Sequence, residues 1–392
     1  MGNPVRLLVL GKDSTLFSGG RAVQGDARLR HIRYAERLRA LYGNESEIRI
    51  LTYTRYGSGH RRDDPAPGLR LYGTQSLHRA TYLADTIATL PSVLAHGWRP
   101  TAVTTQTPWE EGCLGAILAR ALGAAFLPQM HFDMLSDEWR RERLLNNVNR
   151  ALGLWSLRRA TRIRVVSEPL RIKVSARLGL DPSAIDVIPV GVNFTPSNLS
   201  KAAARAKLDP RLADHPVVLF VGRLTAQKNL PLWLDVADDI LKARPETRFV
   251  IVGGGELDAE LRGVIAARGQ ADRILMPGPV GHESLPDVYA AADLFLLTSH
   301  YEGFGRVILE AGFAGAPSVA TRCSGPEDII DDAVSGFLTE RGDRAALVAK
   351  SLEILSDYAR RDAMGLEALR LAHERFGLDA LAARLSRHWA GP

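Results

Sequence analysis

Two glutamates, one arginine and one lysine carry the densest chemical signal in a sequence of 392 residues. Glu302 and Glu310 fall in Thr298–Pro317 (TSHYEGFGRVILEAGFAGAP), a stretch that follows an apolar run (DLFLLTS) and opens a helix. Glu302 occupies the turn. Gly303 and Gly305, on either side of Phe304, let the backbone approach a ligand closely, and the free amides at the helix start suit a phosphate. Glu310 lies about two turns further on, beside a core stripe of Val307, Ala311 and Ala314. A carboxylate there costs desolvation unless it meets hydrogen-bond donors, such as ribose hydroxyls. A helix-capping carboxylate and a rim carboxylate would account for the same pair structurally.

The second cluster is Phe220–Asn229 (FVGRLTAQKN). Gly222 opens a strand-to-helix turn, and Arg223 and Lys228 flank it at the strand's carboxyl end. Two cations there would neutralise a diphosphate without a metal; solvated surface charge is the competing reading. With no partner evident for Glu310 and a turn position for Lys228, alanine at either is expected to cripple ligand binding or turnover and to spare the fold. A third stretch, Gly253–Gly255 (VIVGGGELDAEL) with Gly254 at its centre, resembles a phosphate loop. A lone glycine run is a weak signal, and it is read first as a tight strand-to-helix connection.

In the first half, Gly19 and Gly20 follow the first apolar run. His131 lies just past a strand ending near Pro128 and is followed by Asp133, which leaves a ligand-contacting and a structural role both open. Glu110 and Glu111 (VTTQTPWEEG) also follow a strand end. Either could reach a sugar hydroxyl, or both could be helix-start acids that complement the helix dipole.

These residues need elements to position them. Short apolar runs read as parallel strands at Val5–Leu10, Ile48–Thr52, Ala102–Thr105, Ala124–Pro128 and Ile163–Val166, with amphipathic helices at Asp26–Leu41, Thr81–His96 and Glu111–Leu122. The pattern repeats with strands Val217–Val221, Phe249–Val252, Arg273–Met276, Leu294–Leu297 and Ser318–Ala320. Helices are expected at Leu230–Ala243, Leu257–Arg268, Arg306–Ala314 and Arg344–Ser356. Continuous apolar strands alternating with helices imply two doubly wound α/β sheets. Pro189–Lys201 (PVGVNFTPSNLSK) lacks either periodicity and reads as a hinge. The expected domains are residues 1–192, joined by a C-terminal helix over 376–392, and residues 193–375. Ligands of such sheets bind outside the carboxyl ends of the strands, here around a central cleft between facing domains.

The totals narrow the function. Two cysteines, Cys113 and Cys323, lie in different halves, so a disulfide framework is not expected and a reducing cytosol is the natural compartment. No apolar run is long enough for a signal peptide or a membrane span. Net charge is +6, with the excess of basic residues in the first half, which fits an anionic membrane or a phosphorylated acceptor as well as a merely arginine-rich composition. No nucleic-acid module is present. Asp-x-Asp, Walker A, Cys/His metal spacings and Gly-x-Ser-x-Gly are all missing from the sequence, so a metal clamp on a nucleotide diphosphate is not expected. Residues Glu138–Arg164 hold eight arginines and two glutamates. Leu144, Val148, Ala151 and Trp155 follow helical spacing there. The stripe is expected either to lie on an anionic membrane, on the inner face of the cell membrane, or to be buried against the sheet.

Together the segments resemble glycosyltransferase family 4, whose GT-B architecture sets two Rossmann-like domains face to face. The resemblance is densest from Val217 to Thr339 and weaker from Arg162 to Val192. It implies that Glu302 contacts the donor sugar's hydroxyls and Glu310 the ribose, that Arg223 and Lys228 bind the diphosphate, and that His131 sits beside the transferred sugar. The segment Gly278–His282, including Val280, matches the loop lining the nucleotide base. The implied activity is metal-independent, retaining transfer of a hexose from a UDP- or GDP-sugar to a glycan or lipid-linked acceptor. Val190-Gly191-Val192-Asn193 departs from the Asn-Gly-Val-Asp of many members. A nucleotide-sugar epimerase, a glucan-extending or phosphorolytic enzyme, and a nucleotide-sugar-binding subunit without turnover share enough of these features to stand as rivals.

Overall fold

The computed structural model describes residues 3–17, 26–59 and 61–391. Gly19 and Gly20 therefore lie outside the described residues. The chain divides into two compact units, residues 1–193 with 378–392, and residues 194–377.

The first unit is built on an eight-stranded sheet of β1 (Arg6–Gly11), β2 (Glu47–Thr52), β3 (Arg62–Ala66), β4 (Leu69–Gly73), β5 (Ala102–Thr105), β6 (Ala125–Met130), β7 (Ile163–Val165) and β8 (Ile185–Val187). Their spatial order is β3-β4-β2-β1-β5-β6-β7-β8, and only β3 runs antiparallel to its neighbour. The second unit carries β9 (Val217–Val221), β10 (Arg248–Val252), β11 (Ile274–Gly278), β12 (Leu294–Leu297), β13 (Ser318–Thr321) and β14 (Gly336–Thr339). Their order is β11-β10-β9-β12-β13-β14 and all pairs are parallel. Both sheets are the doubly wound, Rossmann-like type that the alternating pattern predicts. In each, the strand order reverses once, between β1 and β5 and between β9 and β12, and at such a switch point the loops leaving the strand ends diverge and leave room for a ligand.

β9 and β12 are wholly buried, which is why they read as uninterrupted apolar runs. Trp233 anchors the second core: its ring meets Phe220 and Phe249 edge-on, and its indole N–H donates to the Leu296 carbonyl at 3.0 Å. The helix Leu378–Ala390 returns to the first unit. Trp389 packs edge-on against Tyr34, and His388 Nδ1 lies 2.7 Å from an Asp186 carboxylate oxygen. Gly191 is pressed against the start of that helix, where a Cβ would come within 2.6 Å of Leu378.

Four strands escape a reading from apolar runs. β3 is a polar edge strand containing Pro65, β8 has only three residues, and β4 and β14 are short and interrupted by Arg70 or opened by Gly336. The basic stretch 138–164 is not one helix. Arg143 adopts an extended backbone between the helices Asp137–Glu142 and Leu145–Leu157, and β7 begins at Ile163. Among the described residues no helix is long and apolar enough to cross a membrane.

The triple glycine after β10 is a packing device. Gly253 adopts φ 142, and a Cβ there would fall 1.8 Å from the Gly222 carbonyl oxygen; one at Gly255 would fall 2.3 Å from that of Leu224. Gly254 would meet only the Pro279 ring, at 3.8 Å. Gly253→Ala should therefore cost about 3 kcal/mol, and Gly254→Ala less than about 1 kcal/mol. Thermal melts of the two variants check this, and equal melting temperatures would contradict it.

Candidate active site

The β9 and β12 strand ends are laced together across the switch point. After β9 the chain makes a short helical turn, Ala226–Lys228, and Asn229 takes the left-handed conformation (φ 47) before the helix Leu230–Ala243. Asparagine tolerates this better than most residues. The Gln227 amide nitrogen donates to the Tyr301 carbonyl at 2.9 Å, the His300 N–H donates to the Gln227 carbonyl at 2.9 Å, and Thr298 Oγ1 lies 3.1 and 3.0 Å from the Lys228 and Asn229 carbonyls. From β13, Thr321 Oγ1 donates to the Ser299 carbonyl at 2.7 Å.

Within this frame Lys228 Nζ donates to Glu302 Oε1 at 2.5 Å, and Ser299 Oγ donates to the same oxygen at 2.7 Å. Both Lys228 and Glu302 are buried. Arg223, by contrast, is exposed, with Gln227 Oε1 at 3.5 Å. One cation is thus held inside and the other is presented to solvent beside it.

The loop after Glu302 is buried through Gly305, which takes φ 84 and starts the helix Arg306–Phe313 without a side-chain cap. Only glycine adopts this conformation freely. The Phe304 ring packs against Phe376 at 5.5 Å, so its part in a ligand site falls to its main chain. Gly325 allows that packing, because a Cβ there would lie 2.2 Å from the Phe304 backbone. Glu310 is not partnerless, as the sequence suggested. Tyr289 Oη donates to its Oε2 at 2.8 Å, and Arg306 Nη2 to its Oε1 at 3.2 Å. Burial, and then the facing carboxylate, push the Tyr289 phenol well above its usual pKa, so it stays a donor. Val280 is half-buried in the loop that follows β11, next to the Pro279 that faces Gly254.

In the first unit, His131 directly follows β6. Dense surroundings, and then the Arg164 and Arg30 guanidiniums, hold its imidazole well below the usual pKa, so it is neutral. Asp133 does not serve it: its carboxylate meets Lys173 Nζ at 2.5 Å and the Leu135 amide at 3.0 Å. Glu110 and Glu111 begin the helix Glu110–Leu122. Glu110 pairs with Lys12 across the β1–β5 switch point. Glu111 is buried, accepts from the Thr107 amide at 3.2 Å and hydroxyl at 2.8 Å, and is pushed by that burial to a pKa of about 7. These contacts fit the helix-start reading of the pair.

Tyr289, Ser299, Gln227 and Gly325 went unnoticed in the sequence. Arg306 went unnoticed too, although it stands four residues before Glu310, a spacing that puts both on one helix face and could have found it.

Two family models match. The glycosyl transferase 4-like domain covers residues 31–191, and glycosyl transferases group 1 covers residues 204–370. The chain belongs to the GT4-type glycosyltransferases of GT-B fold. It is 28% identical over 334 residues to the 2-deoxystreptamine N-acetyl-D-glucosaminyltransferase of Streptomyces fradiae, spanning 83% of this chain and 79% of that one. It is 37% identical over 218 residues to the D-inositol 3-phosphate glycosyltransferase of Xylanimonas cellulosilytica, spanning 53% of this chain and 51% of that one. Among solved structures, Anabaena HepE in complex with UDP and glucose superposes with a TM-score of 0.76 at 20% identity, covering 99% of this chain and all of that one.

For this transferase the geometry revises the expectation that alanine at Lys228 or Glu310 spares the fold. Lys228→Ala strands a buried carboxylate and should cost about 3–5 kcal/mol. Tyr289→Phe removes one donor from Glu310 and should cost about 1–3 kcal/mol. Denaturant titration reads both, and a wild-type midpoint for Lys228→Ala would show that the pair adds nothing to the fold.

Proposed function

We infer that this glycosyltransferase takes a hexose from a UDP- or GDP-sugar and passes it, with retention of anomeric configuration and without a metal, to a hydroxyl of a glycan or lipid-linked acceptor. The observation that carries this reading is the buried Lys228–Glu302 pair at the β9–β12 switch point, with Arg223 exposed beside it. Arg223, Lys228 and the amides near Gly303–Gly305 would stabilise the diphosphate as its bond to the sugar lengthens, each well-placed donor contributing roughly 3 kcal/mol. Glu302, already an acceptor of two hydrogen bonds, orients sugar hydroxyls instead of attacking carbon. Glu310, steadied by Tyr289 and Arg306, is the ribose ligand in this reading. The neutral His131 imidazole suits a hydrogen bond to a sugar hydroxyl, donating or accepting without adding charge. Front-face attack, with a phosphate oxygen assisting deprotonation of the acceptor, follows from the family resemblance. The names of the Streptomyces and Xylanimonas relatives both carry a cyclitol, which adds a free or phosphorylated cyclitol to the acceptors worth assaying.

Thermal-shift screening against UDP-, GDP- and ADP-sugars should single out one base, and an Arg223→Ala variant should lose most of that shift. Stabilisation by none of the three would sink the donor assignment. With the donor in hand, turnover should persist in excess EDTA, and loss restored by added divalent metal would refute the metal-free reading. NMR of the product should show the donor's anomeric configuration, and inversion would overturn retention.

A further inference from the structure

The helix Leu145–Leu157 packs two leucines inward among small and polar residues, yet turns several large apolar side chains outward. Its buried residues are Asn146, Gly153, Leu154, Ser156 and Leu157. Gly153 packs on Met134, where a Cβ would meet the sulfur at 2.8 Å, and Asn146 Nδ2 donates to the Trp139 carbonyl at 2.6 Å. Ser156 donates to the Pro108 carbonyl, and Gly112 fits against that serine. The inward face thus packs Leu154 and Leu157 among small and polar groups, and further large apolar side chains stand on the other side.

Leu144 is 90% exposed, Leu145 62%, Val148 52% and Trp155 37%, with Leu152 between them. Their spacing places them on one stripe. The Cys113 thiol lies 3.6 Å from the Leu152 carbonyl, and Ile117, one turn further along the neighbouring helix, is exposed and widens the stripe. Single exposed leucines need no explanation, but a contiguous apolar face does. The expectation that this stripe is buried against the sheet is therefore overturned.

The rim supplies the chemistry of the occupant. Arg141 and Arg143 stand exposed at one end and Arg158 and Arg159 at the other, and the Arg159 guanidinium lies 3.8 Å over the Trp155 ring. A second copy of this chain on the same face would set arginine rim against arginine rim, because a two-fold interface pairs each patch with itself. An anionic lipid surface satisfies both features. Leucines, valine and the indole enter the headgroup boundary, while the arginines keep their heads among lipid phosphates.

We propose that the face formed by Leu144–Trp155 and Ile117 docks this transferase on an anionic membrane surface. The proposal does not depend on the donor or acceptor assigned above.

Vesicle flotation of the full chain tests it, comparing phosphatidylglycerol/phosphatidylcholine vesicles with phosphatidylcholine alone. Wild type should float with the anionic vesicles, much less with the neutral ones, and should be released by high salt. The Arg141→Gln, Arg143→Gln, Arg158→Gln triple variant should lose on the order of 100-fold in partitioning. A Leu144→Ser, Leu145→Ser, Val148→Ser variant should lose binding with every arginine in place. Melting temperatures of both variants should match wild type, since all six side chains are exposed. Equal recovery with the two vesicle types, or recovery with neither, overturns the proposal. So does sedimentation showing a wild-type dimer that the leucine variant dissociates, which would assign the face to a second copy.

Discussion

A lysine and a glutamate facing each other out of water are the constraint on which the second unit is arranged. A buried ion pair stabilises a fold only when its remaining valences are met and its geometry is held, because desolvation of the two charges offsets most of their attraction. Lys228 and Glu302 meet that condition through the neighbours of each. Ser299 completes Glu302, while Gln227, Thr298 and Thr321 tie the two strand-end loops into one framework. Gly325 lies under the Phe304 backbone and Gly253 under that of Gly222, at distances no other residue allows. The first unit repeats the motif in a more exposed form, with Lys12 and Glu110 paired across the β1–β5 reversal.

The two glutamates of the second unit differ in what they face. Glu302 meets a cation and a hydroxyl. Glu310 meets a phenol and an arginine one helical turn away. Each is held in orientation before any ligand arrives, so less rotamer freedom remains to be lost on binding. Arg223 is the contrasting case, exposed and only loosely engaged with Gln227.

The doubly wound architecture was legible because buried parallel strands leave continuous apolar runs, as at Val217–Val221 and Leu294–Leu297. The short or polar strands were not legible, since Arg62–Ala66 and Ile185–Val187 owe their pairing to neighbours and not to their own composition. For the site, spacing revealed which carboxylates and cations belong together but not what they touch. Glu310 seemed to lack a partner because Tyr289 stands 21 residues earlier, inside an ordinary-looking apolar helix. Asp133 follows His131 closely in sequence, but spacing did not reveal that its carboxylate turns to Lys173 while the imidazole is left neutral among arginines. The helix after Leu144 was ambiguous for a related reason. Periodicity locates an apolar stripe but does not say whether protein covers it.

The return of Leu378–Ala390 to the first unit has a consequence for how the molecule is made. The second unit is one unbroken length of chain, so on the ribosome it can close its core as soon as it emerges. The first unit cannot. Asp186 waits for His388 and Tyr34 for Trp389, contacts separated by some of the longest sequence intervals in the chain. Loop closure over such intervals is slow. The second unit is in effect an insert within the first, and the first completes itself last.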